Sequence, residues 1–149
     1  MAEVGDVAPA FNLPGTTGEG LNLADIRGKR RAVLVFYPKD RTSGCTNQLN
    51  AIRDTIDEFR ALDTEPYGVN HGDAASHQAF IDAYDFPFDL LIDDGLQVAT
   101  AYGAVHPEGD RINRTVVVVG KDGTVIFRQA GAPSPSEMLT AIREADDEA

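Results

Sequence analysis

Ala32-Val33-Leu34-Val35-Phe36-Tyr37 is an unbroken apolar run, rich in β-branched and aromatic side chains. A continuous run of this kind suits a strand covered on both faces, as in the middle of an α/β sheet, so helices are expected to flank it. Further strand signals fall at Tyr67-Gly68-Val69-Asn70, Asp89-Leu90-Leu91-Ile92, Thr115 to Val119 and Thr124 to Phe127. The last two form a hairpin across Gly120-Lys121-Asp122-Gly123.

The flanking helices announce themselves by spacing. Leu49, Ile52, Ile56, Phe59 and Leu62 recur three or four apart and predict one long amphipathic helix after the first central strand. A second stretch runs from Asp73, an N-cap candidate, through His77, Phe80, Ile81 and Tyr84, and a shorter one carries Leu96, Ala99 and Tyr102. Ser134-Pro135-Ser136-Glu137 reads as a capping box with proline at the first helical position, leading into Met138, Leu139 and Ile142. Residues Glu144 to Ala149 read as a frayed tail. Strands and helices thus alternate and end in a hairpin and a helix. That order matches an α/β, thioredoxin-like fold: a central mixed sheet with helices on both faces.

Nothing marks a second domain. There is no internal repeat, linker or shift in composition, and 149 residues suit a single domain spanning 1–149. No apolar stretch approaches the roughly 20 residues of a membrane-spanning helix, and Met1 to Asp6 lack a basic and an apolar segment, so neither membrane insertion nor a secretory signal is expected. Cytoplasmic residence is the simplest expectation. A net charge of -11, relieved only at Lys29-Arg30-Arg31, repels nucleic acid and anionic membranes. Asp outnumbers Glu and Arg outnumbers Lys, which suits a strongly saline cytoplasm and equally a merely acidic, soluble surface.

Cys45 is the only cysteine, so no internal disulfide can form. It follows the first central strand and a short connection, in the first turn of the predicted helix. Unbonded N–H groups and the positive end of the helix dipole lie there, and both favour a thiolate. Pro38 and Gly44 shape the connection, while Thr42 and Ser43 bring hydroxyls towards the sulfur. The spelling is Pro38-Lys39-Asp40-Arg41-Thr42-Ser43-Gly44-Cys45.

These residues resemble the PxxxTxxC signature of peroxiredoxins, the AhpC/TSA superfamily, within Phe36-Tyr37-Pro38-Lys39-Asp40 and continued by Thr46 and Gln48. Gly5, Ala8, Pro9, Phe11 and Leu13 look like the family's amino-terminal motif. Arg53-Asp54, Ser76-His77 with Phe80, Phe86-Pro87-Phe88 with Leu90-Leu91, and Ala101-Tyr102-Gly103 resemble later landmarks, and Arg114 stands where the family carries its active-site arginine. The likeness covers about the whole chain and is greatest to the bacterioferritin comigratory protein group. It implies a thiol-dependent peroxidase that reduces hydrogen peroxide, alkyl hydroperoxides or both.

The resemblance makes Cys45, Thr42 and Arg114 the catalytic candidates, with Pro38, Gly44 and Gln48 lining the substrate position. Arg53 and Arg111 compete with Arg114, and Thr42 has the alternative of capping the helix. A free thiol of pKa near 8.5 is a few per cent ionised at neutral pH, so complete ionisation gains at most about 30-fold. The larger share must come from donors placed to meet charge as the O–O bond breaks.

Relatives of this group often carry a resolving cysteine five positions on, where this chain has Asn50. An external thiol reductant, whether thioredoxin, glutaredoxin or a low-molecular-weight thiol, is therefore expected, in a one-cysteine cycle run by a monomer or homodimer. Asn70 and Gly72 replace serine and aspartate of many relatives, a change read as confined to a strand-end loop away from Cys45. His71, His77 and His106 lack metal-ligand spacing and read as surface or packing residues, and no metal or cofactor is implied. A dithiol exchanger needs C-x-x-C, which Thr42-Ser43-Gly44-Cys45 is not, and a cysteine hydrolase needs a partner histidine. The alternative from another class is a non-catalytic redox sensor or binding module acting through a Cys45 mixed disulfide.

Overall fold

The computed structural model describes residues 2–147. Short strands β1 (Asn12–Leu13) and β2 (Leu21–Asn22) pair antiparallel ahead of a single-turn helix, α1 (Leu23–Ile26). The apolar run then forms β3 (Arg31–Phe36), followed by α2 (Ser43–Asp54), α3 (Ile56–Arg60), β4 (Thr64–Asn70), α4 (Ala74–Tyr84) and β5 (Leu90–Ile92). After a 3-10 turn come α5 (Gln97–Ala101), β6 (Thr115–Val119), β7 (Val125–Ala130) and α6 (Pro135–Asp147). The main sheet has five strands in the order β5-β4-β3-β6-β7. Strands β3, β4 and β5 run parallel, β6 is antiparallel to β3 and β7 is antiparallel to β6, which gives the mixed thioredoxin-like sheet expected from the sequence.

Because successive side chains in a strand point to opposite faces, one apolar run serves two cores. Ala32, Leu34 and Phe36 of β3 pack with Leu23, Ile26, Val98, Ala99 and Tyr102 on one face. Val33, Val35 and Tyr37 pack with Leu49, Ile52, Phe59, Phe80, Met138 and Ile142 on the other. All six residues of β3 are buried, including Arg31. Among the described residues, no helix is long and apolar enough to cross a membrane.

The differences from expectation have local causes. The predicted long helix breaks at Thr55, whose φ of -116° and ψ of 16° leave the helical range. Its hydroxyl donates to Ala51 O at 2.9 Å, the carbonyl its own N–H would reach in a continuing helix, and that N–H bonds Ile52 O at 3.1 Å instead. The tail is helical to Asp147, because Asp146 pairs with the buried Arg31; residues 148–149 lie outside the described residues. The β1–β2 pair went unforeseen, since two-residue strands carry no periodicity. Its connecting loop is held by Asp89, whose Oδ1 accepts from Thr16 N at 2.7 Å and Thr17 N at 3.0 Å.

Candidate active site

Register brings distant segments to one end of the sheet. Phe36, the last residue of β3, pairs with Val69 near the end of β4 and with Thr115 at the start of β6. The loop after β3, the loop after β4 and the residue before β6 therefore meet there. Arg114 reaches Cys45 for this reason, although 69 positions separate them.

Cys45 lies in the first turn of α2 with 1% of its surface exposed. Arg114 is half-buried and donates from Nη2 to Cys45 Sγ at 3.3 Å and from Nη1 to Gln48 Oε1 at 2.7 Å. Gln48 sits three residues along the same helical face, so sulfur, guanidinium and carboxamide form one unit. A guanidinium has donors only, which obliges the carboxamide oxygen to face it and turns Nε2 to a buried position without a partner. Gly131 N, just past β7, donates to Arg114 O at 2.8 Å and fixes its backbone. Gly44 matters through what it lacks: a Cβ there would lie 3.2 Å from Arg114 Nη2.

Thr42 is the N-cap of α2 by backbone, yet its side chain makes no capping bond. Its hydroxyl donates to Lys39 O at 3.0 Å, closing the turn ahead of the helix, so neither the capping reading nor a donated bond to sulfur describes this arrangement. Thr42 and Ser43 are exposed and Pro38 is half-buried. Arg41, between them, has a φ of 63°, a left-handed conformation that costs a non-glycine residue on the order of 1–3 kcal/mol. Such strain persists only where the surroundings impose it.

Those surroundings include a buried polar cluster that sequence reading missed. Asp40 accepts from Tyr37 Oη at 2.6 Å on Oδ1, and on Oδ2 from Ser76 Oγ at 2.6 Å and His77 Nδ1 at 2.6 Å. Asn70 Nδ2 donates to Tyr37 O at 2.8 Å and Pro38 O at 3.0 Å, while its Oδ1 accepts from Gly72 N at 2.7 Å. Asn70 thus corrects the expectation of a change remote from Cys45: it holds the backbone that carries Pro38. Gly72 fits beside it because a Cβ would stand 3.0 Å from Asn70 Oδ1 and 3.2 Å from His77 Cε1. The available signal was Asn70 at a strand end together with Ser76-His77 on one helical turn, but Asp40 in a loop reads as a solvated charge.

Burial pushes the Tyr37 phenol well above its ordinary value, reinforced by the Asp40 and Cys45 charges. Burial also pushes the Asp40 carboxyl upward, yet the hydrogen bonds from His77, Ser76 and Tyr37 together outweigh it and hold it below the ordinary range. The cluster therefore carries a carboxylate inside the protein at neutral pH.

The rival residues stand elsewhere. Arg53 pairs with Asp54 at 3.0 Å and donates to Tyr84 O at 2.7 Å, and Arg111 is exposed. His71 is exposed, His106 half-buried, and His77 packs in the Asp40 cluster. Asn50, at the position of the resolving cysteine in relatives, is half-buried with Oδ1 lacking a partner. Among the described residues, no group of three or more His, Cys, Asp or Glu is placed to hold a metal. A cleft of about 790 Å³ lined by Lys29, Arg30, Arg60, Tyr67, Phe88 and Asp89 opens at the other end of the parallel strands and contains no thiol.

Comparison with known proteins gives the family. Residues 4–128 match the AhpC/TSA family. Chloroplastic peroxiredoxin Q of Triticum aestivum is 38% identical over 124 residues, 83% of this chain and 57% of the wheat protein, so the chain spans little more than half that relative's length. A peroxiredoxin bcp of Coxiella burnetii is 34% identical over 129 residues, 83% of this chain and 85% of that protein. The crystal structure of peroxidoxin BcpB from Mycobacterium tuberculosis superposes with a TM-score of 0.87 at 26% identity, covering 97% of this chain and 98% of that one. The chain belongs to the AhpC/TSA family, in the peroxiredoxin Q and bcp group, with Cys45 as its single cysteine.

Proposed function

We propose that the protein is a thiol-dependent peroxidase in which Cys45 reduces hydrogen peroxide, alkyl hydroperoxides or both. The thiolate attacks one peroxide oxygen; an S–O bond forms, the O–O bond breaks, and sulfur is oxidised by two electrons to the sulfenic acid. Hydroxide or alkoxide leaves and takes a proton from water. The observation that carries this reading is the Arg114 guanidinium, 3.3 Å from Sγ and braced by Gln48, which sets an N–H donor beside the sulfur, where charge on the peroxide oxygens would develop. Thr42, its own hydrogen committed to Lys39 O, retains lone pairs to accept the hydroperoxide hydrogen. Pro38 and Gly44 complete the wall, Pro38 by excluding water and Gly44 by leaving Arg114 room.

With one cysteine, the sulfenic acid is returned to thiol by two equivalents of an external thiol, which leave as a disulfide and water. Thioredoxin, glutaredoxin and small thiols all fit that chemistry, and a reducing compartment such as the cytoplasm suits it. The unit acts as a single domain, as a monomer or homodimer. Peroxide consumption under excess dithiothreitol is the test. Many turnovers per Cys45 are expected, with none for Cys45→Ser; a single stoichiometric oxidation without turnover would overturn the enzymatic reading.

A further inference from the structure

We infer that Asp40 is a positioning residue: its buried carboxylate, gripped by Tyr37, Ser76 and His77, fixes the loop that carries Pro38 and leads through Thr42 into α2, and thereby sets Cys45 against Arg114. The inference rests on the peroxidase reading and names a part of the site that does not touch substrate.

Three observations converge on it. First, the loop contains Arg41 at a φ of 63°, and a strained residue keeps its conformation only under constraint from both sides. On the downstream side the constraint is α2 itself, with Thr46 N bonded to Thr42 O at 2.9 Å. On the upstream side it is Asp40, one residue before Arg41.

Second, the three donors to Asp40 come from separate places. Tyr37 follows β3, while Ser76 and His77 lie in α4, whose start is fixed by Asp73 accepting from Ser76 N at 2.8 Å. Three bonds of 2.6 Å from two rigid elements define where Asp40 sits more tightly than apolar contact does.

Third, a buried carboxylate is a poor source of stability compared with an apolar side chain of the same size, because its desolvation offsets what its bonds contribute. Position is the property that such a cluster supplies. The carboxylate also requires a hydrogen on His77 Nδ1, which fixes the tautomer of the ring in this cluster.

The rate constants for loss of the Cys45 thiol to hydrogen peroxide and to iodoacetamide, measured on the whole protein, test this. Alkylation needs an accessible thiolate but no aligned donors for a departing oxygen, so the ratio of the two rates isolates alignment from folding. Asp40→Asn is expected to lower that ratio at least about tenfold, since a displacement of about 1 Å at a reacting centre costs up to about 100-fold. His77→Leu should do the same, while His77→Asn, which keeps an N–H near the Nδ1 position, should restore most of the ratio. Should Asp40→Asn fail to fold, Tyr37→Phe removes one of the three donors with the ring kept, and a smaller fall is expected. Ratios unchanged in Asp40→Asn, or in Tyr37→Phe and His77→Leu where Asp40→Asn fails to fold, would overturn the inference alone. A wild-type Cys45 that reacts with peroxide no faster than free cysteine would overturn the peroxidase reading, and this inference with it.

Discussion

At the scale of single residues, the site turns on a guanidinium that does two things with one rigid fork. Arg114 holds Gln48 with one nitrogen and reaches sulfur with the other, at 2.7 and 3.3 Å. A lysine has one nitrogen and no fork, so Arg114→Lys is expected to lower the peroxide rate constant about 100-fold, the usual cost of one transition-state donor, while leaving thermal unfolding nearly unchanged. Stopped-flow peroxide oxidation beside a melting curve checks both halves. Gly44→Ala should separate rate from stability in the other sense. Gly44 is in α2, outside the left-handed region, where alanine is favoured by about 0.5–1 kcal/mol, yet its Cβ would press on Arg114 Nη2 from 3.2 Å. The variant is expected to melt no lower than the wild type and to react with peroxide about tenfold more slowly. The meeting of Cys45 with Arg114 was legible in the sequence because the resemblance put both at one site. Thr42 was legible as a position but not as a bond, since nothing in the spelling tells whether its hydrogen goes to sulfur, to the helix or to Lys39 O.

At the scale of elements, the sequence displayed what periodicity can display. Thr115 to Val119 was placed to the residue, because a strand buried on both faces reads as an unbroken β-branched run, here bounded by Arg114 and Gly120. Asp73 and the Ser134–Glu137 box were also readable, because a cap is a local bond: Asp73 accepts from Ser76 N at 2.8 Å, and Ser134 N donates to Glu137 Oε2 at 2.8 Å. The break at Thr55 was not, because the apolar spacing from Leu49 to Phe59 continues through it while a single hydroxyl decides the backbone. The Asp40 cluster was hidden for a further reason. Its partners Ser76 and His77 lie 36 and 37 positions away, and only the parallel register of β3 with β4 brings α4 against the loop. Asp73→Ala belongs to this scale. It should cost about 1 kcal/mol by removing the cap of α4, observed as a lower midpoint in urea unfolding with an unchanged slope.

At the scale of the whole molecule, two charge effects are expected to compete. The net charge of -11 makes the folded chain repel itself, and about 1 M KCl shortens the screening length from roughly 10 to 3 Å. The melting temperature should therefore rise with KCl, and a fall would mean that surface ion pairs outweigh the repulsion. Acid acts through Asp40. Its folded carboxyl binds a proton at lower pH than the ordinary 3.8, so the stability it contributes is present above that value and is lost as pH falls through the folded one. The difference in melting temperature between wild type and Asp40→Asn should accordingly be constant above about pH 5 and shrink below about pH 4.

The proposed mechanism assigns the rate to donor alignment rather than to ionisation of the sulfur, and the second-order rate constant of Cys45 with hydrogen peroxide at pH 7, set against free cysteine in the same buffer, tests it directly. Complete ionisation accounts for at most about 30-fold. A ratio well above that is the predicted result; a ratio at or below it would mean that the Arg114 fork and its supporting loop add nothing to the chemistry.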